Sequence, residues 1–465
     1  MFTTIKVAPM TRIEGHLDIE VTVGPVNGKQ QVVEAKSSGT MFRGFEILLK
    51  NRDPLDALHI TQRICGVCPI AHGMTAALTL DAALGVAPPT NGRVMRNLVL
   101  GANFVQSHIL HFYHLAAPDY IDTTGILDLS PWTPRFVTGD MVSGTVAATL
   151  VGHYVQALAM RRKAHQMGAI FGGKLPCSPT FVPGGFTETV TAQKIADFRV
   201  LLTELRGFID GVMVPDVLAV AGVFPEYGAM GRGCGNLLAY GVFNLDTAGT
   251  TKLLARGRYT DGALATVDPA QIKEYVKYSK YSSGTGLNPQ VGDTAPSATK
   301  AGAYSWLKAP RYLDKVHEVG ALARMWVNGD YRNGISVIDR LAARCLEAKK
   351  IADAMDAWLN QLTVGGASYT FKDVPATASA IGLSEAARGA LGHWVGISSK
   401  KVSRYQIVTP TNWNASPKDD AGRRGPIEQA LIGTPVKDTT QPIEVLRVVH
   451  SFDPCLACSV HMVRV

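Results

Sequence analysis

The chain has 465 residues, 46% hydrophobic and 18% charged, and 46 Lys and Arg against 38 Asp and Glu give a formal net charge of +8. This is a globular composition with length enough for a large buried core, which excludes a disordered chain. The basic residues are scattered in short clusters such as Arg161-Arg162-Lys163 and Lys400-Lys401, which argues against a nucleic-acid-binding face, and no apolar run reaches the roughly 18 residues of a bilayer span.

Along the chain, Leu17, Ile19, Val21 and Val23 alternate with polar partners, Asn27-Gly28 supplies a turn, and Gln31 to Ala35 returns. That pattern predicts a β-hairpin. Helical spacing then dominates, over Val94 to Leu115, Met141 to Met167, Ala192 to Val214 and Ile338 to Leu362. Gly- and Pro-rich stretches at Gly172 to Gly185, Tyr227 to Gly235 and Tyr278 to Pro296 connect them, and Thr409 to Pro442 reads as irregular structure covering a core. The expectation is a mainly α fold with a small N-terminal β element (α+β). Residues 1–465 form one large domain, with a β-hairpin element in 1–40 and a mainly helical part in 41–465 around a buried centre.

Seven cysteines are an odd number, which argues against a disulfide framework. Cys177, Cys234 and Cys345 stand alone, and Cys345 sits in an amphipathic helix as a small core residue. The other four form two Cys-x-x-Cys clips at opposite ends of the chain, Arg63-Ile64-Cys65-Gly66-Val67-Cys68 and Asp453-Pro454-Cys455-Leu456-Ala457-Cys458. Two such clips serve structural zinc, an iron–sulfur cluster, a redox disulfide pair or a catalytic transition metal. A zinc ribbon places its clips about 15–20 residues apart, so clips this distant suit a centre assembled deep inside a large fold.

His72 follows the first clip and His461 the second, while Asp453 precedes Cys455. Imidazoles and carboxylates beside thiolates tune ligands and relay protons, although each alone also fits a packed or capping residue. Glu14 and His16 flank Gly15 just before the first strand, and Glu46 closes Phe42-Arg43-Gly44-Phe45-Glu46.

Taken together, Arg12-x-Glu14-Gly15-His16, Arg63-Ile64-Cys65-Gly66-Val67-Cys68-x-x-x-His72 and Asp453-Pro454-Cys455-x-x-Cys458-x-x-His461 resemble the large subunit of nickel–iron hydrogenases. Ser305 to Tyr312, Glu318-Val319-Gly320, Arg388-Gly389-Ala390-Leu391, Gly172-Gly173-Lys174 and Val182-Pro183-Gly184-Gly185 are similar to that family as well. The resemblance runs from the first twenty residues to the last ten.

It implies a catalytic subunit performing H2 ⇌ 2 H+ + 2 e−. Cys65, Cys68, Cys455 and Cys458 would bind nickel, with Cys68 and Cys458 bridging to an iron that carries CO and two cyanides. Glu14 would be the first proton relay. Arg388 would lie over the open site near a cyanide, Asp453 would pair with it, and Thr411 would hydrogen-bond the other cyanide. Glu46, His461 and the carbonyl of Ile407 would hold magnesium, and His72 would hydrogen-bond near a bridging thiolate. The implied partner is a small subunit with iron–sulfur clusters, with heterodimers able to assemble further and membrane contact only through partners.

The N-terminus, Met-Phe-Thr-Thr-Ile-Lys-Val, lacks a secretory pattern. The expected location is therefore cytoplasmic or on the cytoplasmic side of a membrane, with export alongside a signal-bearing small subunit left open.

Three positions depart from the family pattern. Ser107 stands where an Asp is common, Ala387 precedes Arg388 where a Pro is common, and Cys177 replaces a frequent His. The first two resemble the uptake and sensory branches, so an H2 sensor of low turnover is the alternative; a metal-free relative of complex I type is disfavoured by the four cysteines with Glu14 and Arg388. His108, His111 and His114 read as helix-packing histidines. Four residues, Met462 to Val465, follow His461, where many relatives are cut by a protease during maturation.

Overall fold

The computed structural model describes residues 2–128, 133 and 135–459, with side chains as far as Ala457. Leu17–Val26 and Lys29–Gly39 pair antiparallel as the alternation predicts, and Thr3–Val7 adds a third strand along Leu17–Val26. Asn27 and Gly28 both take positive φ, 51° and 77°, the backbone that a two-residue hairpin turn requires. Leu17, Ile19, Val21 and Val23 are all buried on one face of this sheet.

The predicted helices form with shifted ends. Thr90–Ile109 continues into a π-helical turn, Leu110–Ala116, and Gly144–Gly172, Ala192–Phe208 and Val337–Leu359 fill the other three stretches. Ser336 caps Val337–Leu359 by accepting a hydrogen bond from the Asp339 N–H at 3.1 Å. Thr90–Ile109 packs against both Gly144–Gly172 and Val337–Leu359, and Ala192–Phe208 lies against the latter two.

The fold class, however, is not mainly α. The described chain is 40% helix and 21% strand, with six sheets, which makes it an α/β fold. The sheet that bears most on function is Thr377–Ala386, Gly389–Ser398 and Lys401–Val408, antiparallel in that order. All of Gly389–Ser398 except Ser398 is buried. A strand covered on both faces loses the alternation by which strands are read, and its glycines dilute the β-formers further. The remaining sheets are built from strands of two to four residues, too short to show a period.

One helix was also hidden in the sequence. Pro69–Leu84 begins with Pro at its first position, a favoured start, and is buried almost all round, so it presents no amphipathic stripe. Its backbone seats the central sheet. A Cβ on Gly382 would lie 2.2 Å from Thr79 Oγ1, 2.6 Å from Thr79 N and 2.8 Å from Thr75 O. Gly382→Ala should therefore destabilise the protein by about 1–3 kcal/mol through overpacking against backbone, read as a lower thermal midpoint; an unchanged midpoint would show that helix and sheet separate freely. This helix starts at Cys68 and this sheet turns at Arg388, so their packing brings the two residues to one place.

Candidate metal centre

Cys65 lies just past the short 3-10 helix Thr61–Arg63, and Cys68 sits at the N-terminus of Pro69–Leu84. The Cys65 sulfur accepts hydrogen bonds from the Val67 N–H at 3.3 Å and the Cys68 N–H at 3.4 Å, which stabilises a thiolate there.

The second clip reaches it by zipping onto the N-terminal segment. Glu14 and Cys455 form a parallel bridge, the Leu456 N–H donating to Glu14 O at 2.6 Å and the Glu14 N–H to Pro454 O at 3.4 Å. Gly15 fits because a Cβ there would lie 2.6 Å from Ala457 N. Asp453, at φ 54°, turns the chain into the clip, and the Cys455 N–H donates to Thr411 Oγ1 at 3.0 Å.

The result is three buried sulfurs, those of Cys65, Cys68 and Cys455, within 4.8 Å of one another. Cys65 and Cys455 Sγ are 3.3 Å apart, the contact of two thiols rather than the roughly 2.05 Å of a disulfide bond. Glu14 Oε2 is 3.2 Å from Cys455 Sγ and accepts the Ala457 N–H at 2.9 Å. Burial, then the Cys65 charge, push the Glu14 carboxyl up to about 7.

Across the cluster, Arg388 projects from the turn between Thr377–Ala386 and Gly389–Ser398. Its Nη2 lies 3.0 Å from Asp453 Oδ1, but the two are misaligned for a hydrogen bond, and Nε, Nη1 and Nη2 find no acceptor among the described residues. Burial opposes its charge, yet Asp453 and the thiols of Cys455, Cys68 and Cys65 raise its pKa well above the ordinary value. Asp453 in turn is held low against burial by Arg388, His111 and Arg344. A buried guanidinium with unused donors beside three thiols fits a soft metal whose other ligands accept hydrogen bonds.

Of the remaining predicted residues, Glu46 and Ile407 are brought together in a second buried group. Glu46 Oε1 accepts the Ile407 N–H at 3.2 Å and Oε2 the Thr294 hydroxyl at 2.8 Å, so the contact runs through the amide of Ile407 rather than its carbonyl. Lys308 Nζ joins it, 3.1 Å from Glu274 and 3.0 Å from Gln406 Oε1. His72 Nδ1 lies 3.3 Å from His393 Nε2, and His393 Nδ1 is 2.9 Å from the Tyr405 hydroxyl. Cys458 has its backbone in the helix Leu456–Ser459, but its side chain and all of His461 and Met462 to Val465 fall outside the described residues. His108, His111 and His114 pair with Glu347, His450 O and Tyr154 O.

Sequence reasoning missed Arg43, which donates to Arg63 O at 2.8 Å, Ile64 O at 2.5 Å and Ala457 O at 3.4 Å, tying one clip to the other. It also missed Arg344, whose guanidinium donates to Ser451 O at 3.2 Å and faces Asp453. Arginines that hold distant carbonyls leave no spacing to find; proximity of Arg43 to Glu46 was the one available hint.

A soft-metal centre with a proton-accepting carboxyl on one side and a guanidinium on the other defines a redox metalloenzyme. The sequence profile of nickel-dependent hydrogenases matches residues 43–143, 128–335 and 329–461. The large subunit of the periplasmic nickel–iron–selenium hydrogenase of Desulfomicrobium baculatum is 43% identical over 497 aligned residues, covering 99% of this chain and 95% of that one. The uptake hydrogenase large subunit of Rhizobium leguminosarum bv. viciae is 34% identical, covering 98% and 95%. The reduced nickel–iron–selenium hydrogenase of D. vulgaris Hildenborough superposes with a TM-score of 0.94 at 42% identity, covering 99% of this chain and all of that one.

The chain belongs to the nickel-dependent hydrogenase family as a large subunit, and is an oxidoreductase acting on H2 with the family's nickel–iron centre. The expected cytoplasmic location does not stand, because the 43%-identical relative is periplasmic. No helix among the described residues is long and apolar enough to cross a membrane. The absence of a secretory pattern in the N-terminal residues is not by itself evidence of location.

Proposed function

We propose that this chain cleaves H2 reversibly in the periplasm and passes the electrons to a small subunit carrying iron–sulfur clusters. Cys65, Cys68, Cys455 and Cys458 would hold the nickel–iron centre, whose iron would carry CO and two cyanides, and Glu46, the carbonyl of Ile407 and His461 would hold magnesium. The relatives' nickel–iron–selenium label is not carried over, because all four of these positions are cysteine here.

The bound metal pair supplies the Lewis acidity that splits H2 heterolytically. The protein does the rest. The Cys455 sulfur takes the proton, and Glu14 Oε2, 3.2 Å away, accepts it next. This contact is the observation that carries the reading. With the carboxyl raised to about 7 by burial, it can both take and release a proton near neutral pH. Arg388 offers its unused N–H groups to the iron's cyanide and is kept in place by Asp453. Thr411 accepts the Cys455 N–H and retains its own O–H to donate to the second cyanide. His72 steadies a bridging thiolate from the adjoining helix.

The electrons need a separate route, since Cys177, Cys234 and Cys345 lie apart from the thiol trio. On Gly144–Gly172, Val155 and Leu158 are 56% and 49% exposed one turn apart, an apolar surface that a partner subunit covers. Metal analysis should give about one nickel per chain and infrared spectra should show CO and cyanide bands; zinc without such bands would refute the reading. The second reading, an H2 sensor of low turnover, rests on Ser107, whose buried hydroxyl has no partner among the described residues. H2-driven dye reduction near the ~10 s−1 of ordinary enzymes rules it out.

A further inference from the structure

The turn that presents Arg388 is short, Ala387-Arg388 between two strands, and the carbonyls of Ala386 and Ala387 accept hydrogen bonds from a buried ion network. Arg324, on the helix Ala321–Asn328, is fully buried. A guanidinium has five N–H donors in a fixed fork, and here all five are placed. Nε donates to Glu347 Oε1 at 2.6 Å, Nη2 to Glu347 Oε2 at 2.6 Å and to Ala387 O at 2.8 Å, and Nη1 to Glu385 Oε2 at 2.8 Å and to Ala386 O at 3.0 Å.

Both carboxylates are themselves fixed. His108 Nε2 lies 2.8 Å from Glu347 Oε2, and the Tyr240 N–H donates to Glu385 Oε1 at 2.6 Å. The far side of the turn has no slack either, because a Cβ on Gly389 would lie 2.6 Å from Val319 Cγ2 and 2.8 Å from Gly320 N. Beyond its ion pair with Asp453, Arg388 makes no aligned hydrogen bond through its side chain among the described residues, so the backbone of the turn sets where that side chain starts.

We propose that Arg324 is a positioning residue for Arg388, holding the carbonyls of Ala386 and Ala387 so that the Arg388 guanidinium stands over the metal pair. The inference rests on the role proposed above for Arg388. Lysine cannot reproduce the fork: one ammonium has three donors and cannot span two carboxylates and two carbonyls together.

The test uses the purified holoenzyme. Arg324→Lys should retain nickel, lower kcat for H2 oxidation about 10- to 100-fold through misplacement of Arg388, and leave KM for H2 unchanged. Amide hydrogen exchange over residues 386–391 should quicken, and the cyanide infrared bands should shift from their wild-type positions. Adding Ala387→Pro should recover most of the lost turnover by stiffening the turn. Proline is admissible because the Ala387 N–H has no acceptor among the described residues and Ala386 ends a strand.

Unchanged turnover in Arg324→Lys, a loss that Ala387→Pro leaves unrepaired, or a loss that only tracks missing nickel would overturn the proposal. Should that variant not accumulate, Arg324→Met with Glu347→Gln removes the cation together with one acid, and Glu385, raised to about 7 by burial, goes neutral; the same readouts and outcomes apply. Wild-type protein without nickel or cyanide bands would instead sink the underlying functional reading, and the exchange measurement would still decide whether Arg324 holds the turn.

Discussion

Glu14→Gln should leave nickel and iron bound while H2/D2O exchange and dye-linked turnover fall by about 10²- to 10⁴-fold, the span of a lost general acid–base. The change is nearly isosteric. The main-chain bonds of Glu14 to Pro454 and Leu456 do not involve its side chain, and a Gln carbonyl still accepts the Ala457 N–H that Oε2 now accepts. What disappears is a group that trades a proton with the Cys455 sulfur 3.2 Å away.

The pH dependence follows with a definite sign. Burial raises the carboxyl to about 7, so below that pH the acceptor is already protonated and transfer from sulfur slows, while above it the carboxylate is ready. Wild-type exchange should therefore show an acid limb near pH 7 that Glu14→Gln lacks. Full exchange activity in the variant would mean that the proton leaves by another route.

Cys455→Ala should abolish nickel binding and, with it, measurable turnover. Changes to residues that only hydrogen-bond a ligand weaken metal sites about 10- to 100-fold; losing one of the clustered thiolates should weaken nickel by more than about 100-fold. The peptide around it is held without the sulfur, by Thr411 Oγ1 on the Cys455 N–H and by the Glu14 bridge, so circular dichroism should stay close to wild type. Nickel retained at about one per chain would remove Cys455 from the ligand set. A variant that loses both nickel and secondary structure would instead give the sulfur a structural role.

How much of this was legible in the sequence depended on whether a residue acts through its neighbours in the chain. The clips, Asp453 and Glu14 lie in compact motifs, and the structure brings Cys65, Cys68, Cys455, Glu14, Asp453, Arg388 and Thr411 to one place. The hairpin at Leu17–Val26 was legible because one face is wet and alternation survives. Gly389–Ser398 was not, because it is covered on both faces, and Pro69–Leu84 was not, because it is buried nearly all round. The error in fold class comes from the strand side, from Gly389–Ser398 with its sheet neighbours and from the strands of two to four residues. Arg43, Arg324 and Arg344 were invisible for another reason. Each reaches backbone carbonyls made near by tertiary folding, and a carbonyl has no residue type to give it away.

The Glu14–Cys455 bridge also imposes an order in time. The bridged side chains are 441 positions apart, so the first clip leaves the ribosome long before the second exists. At ordinary synthesis rates of about 5–20 residues per second the interval is on the order of 20–80 s, and closing so distant a pair is intrinsically late. A metal ion meeting the growing chain finds Cys65 and Cys68 alone, with neither Cys455 nor the Asp453 counter-charge to Arg388. The segment carrying Asp453 and Cys455 is thus a latch, and its docking against Glu14 closes the centre to exchange.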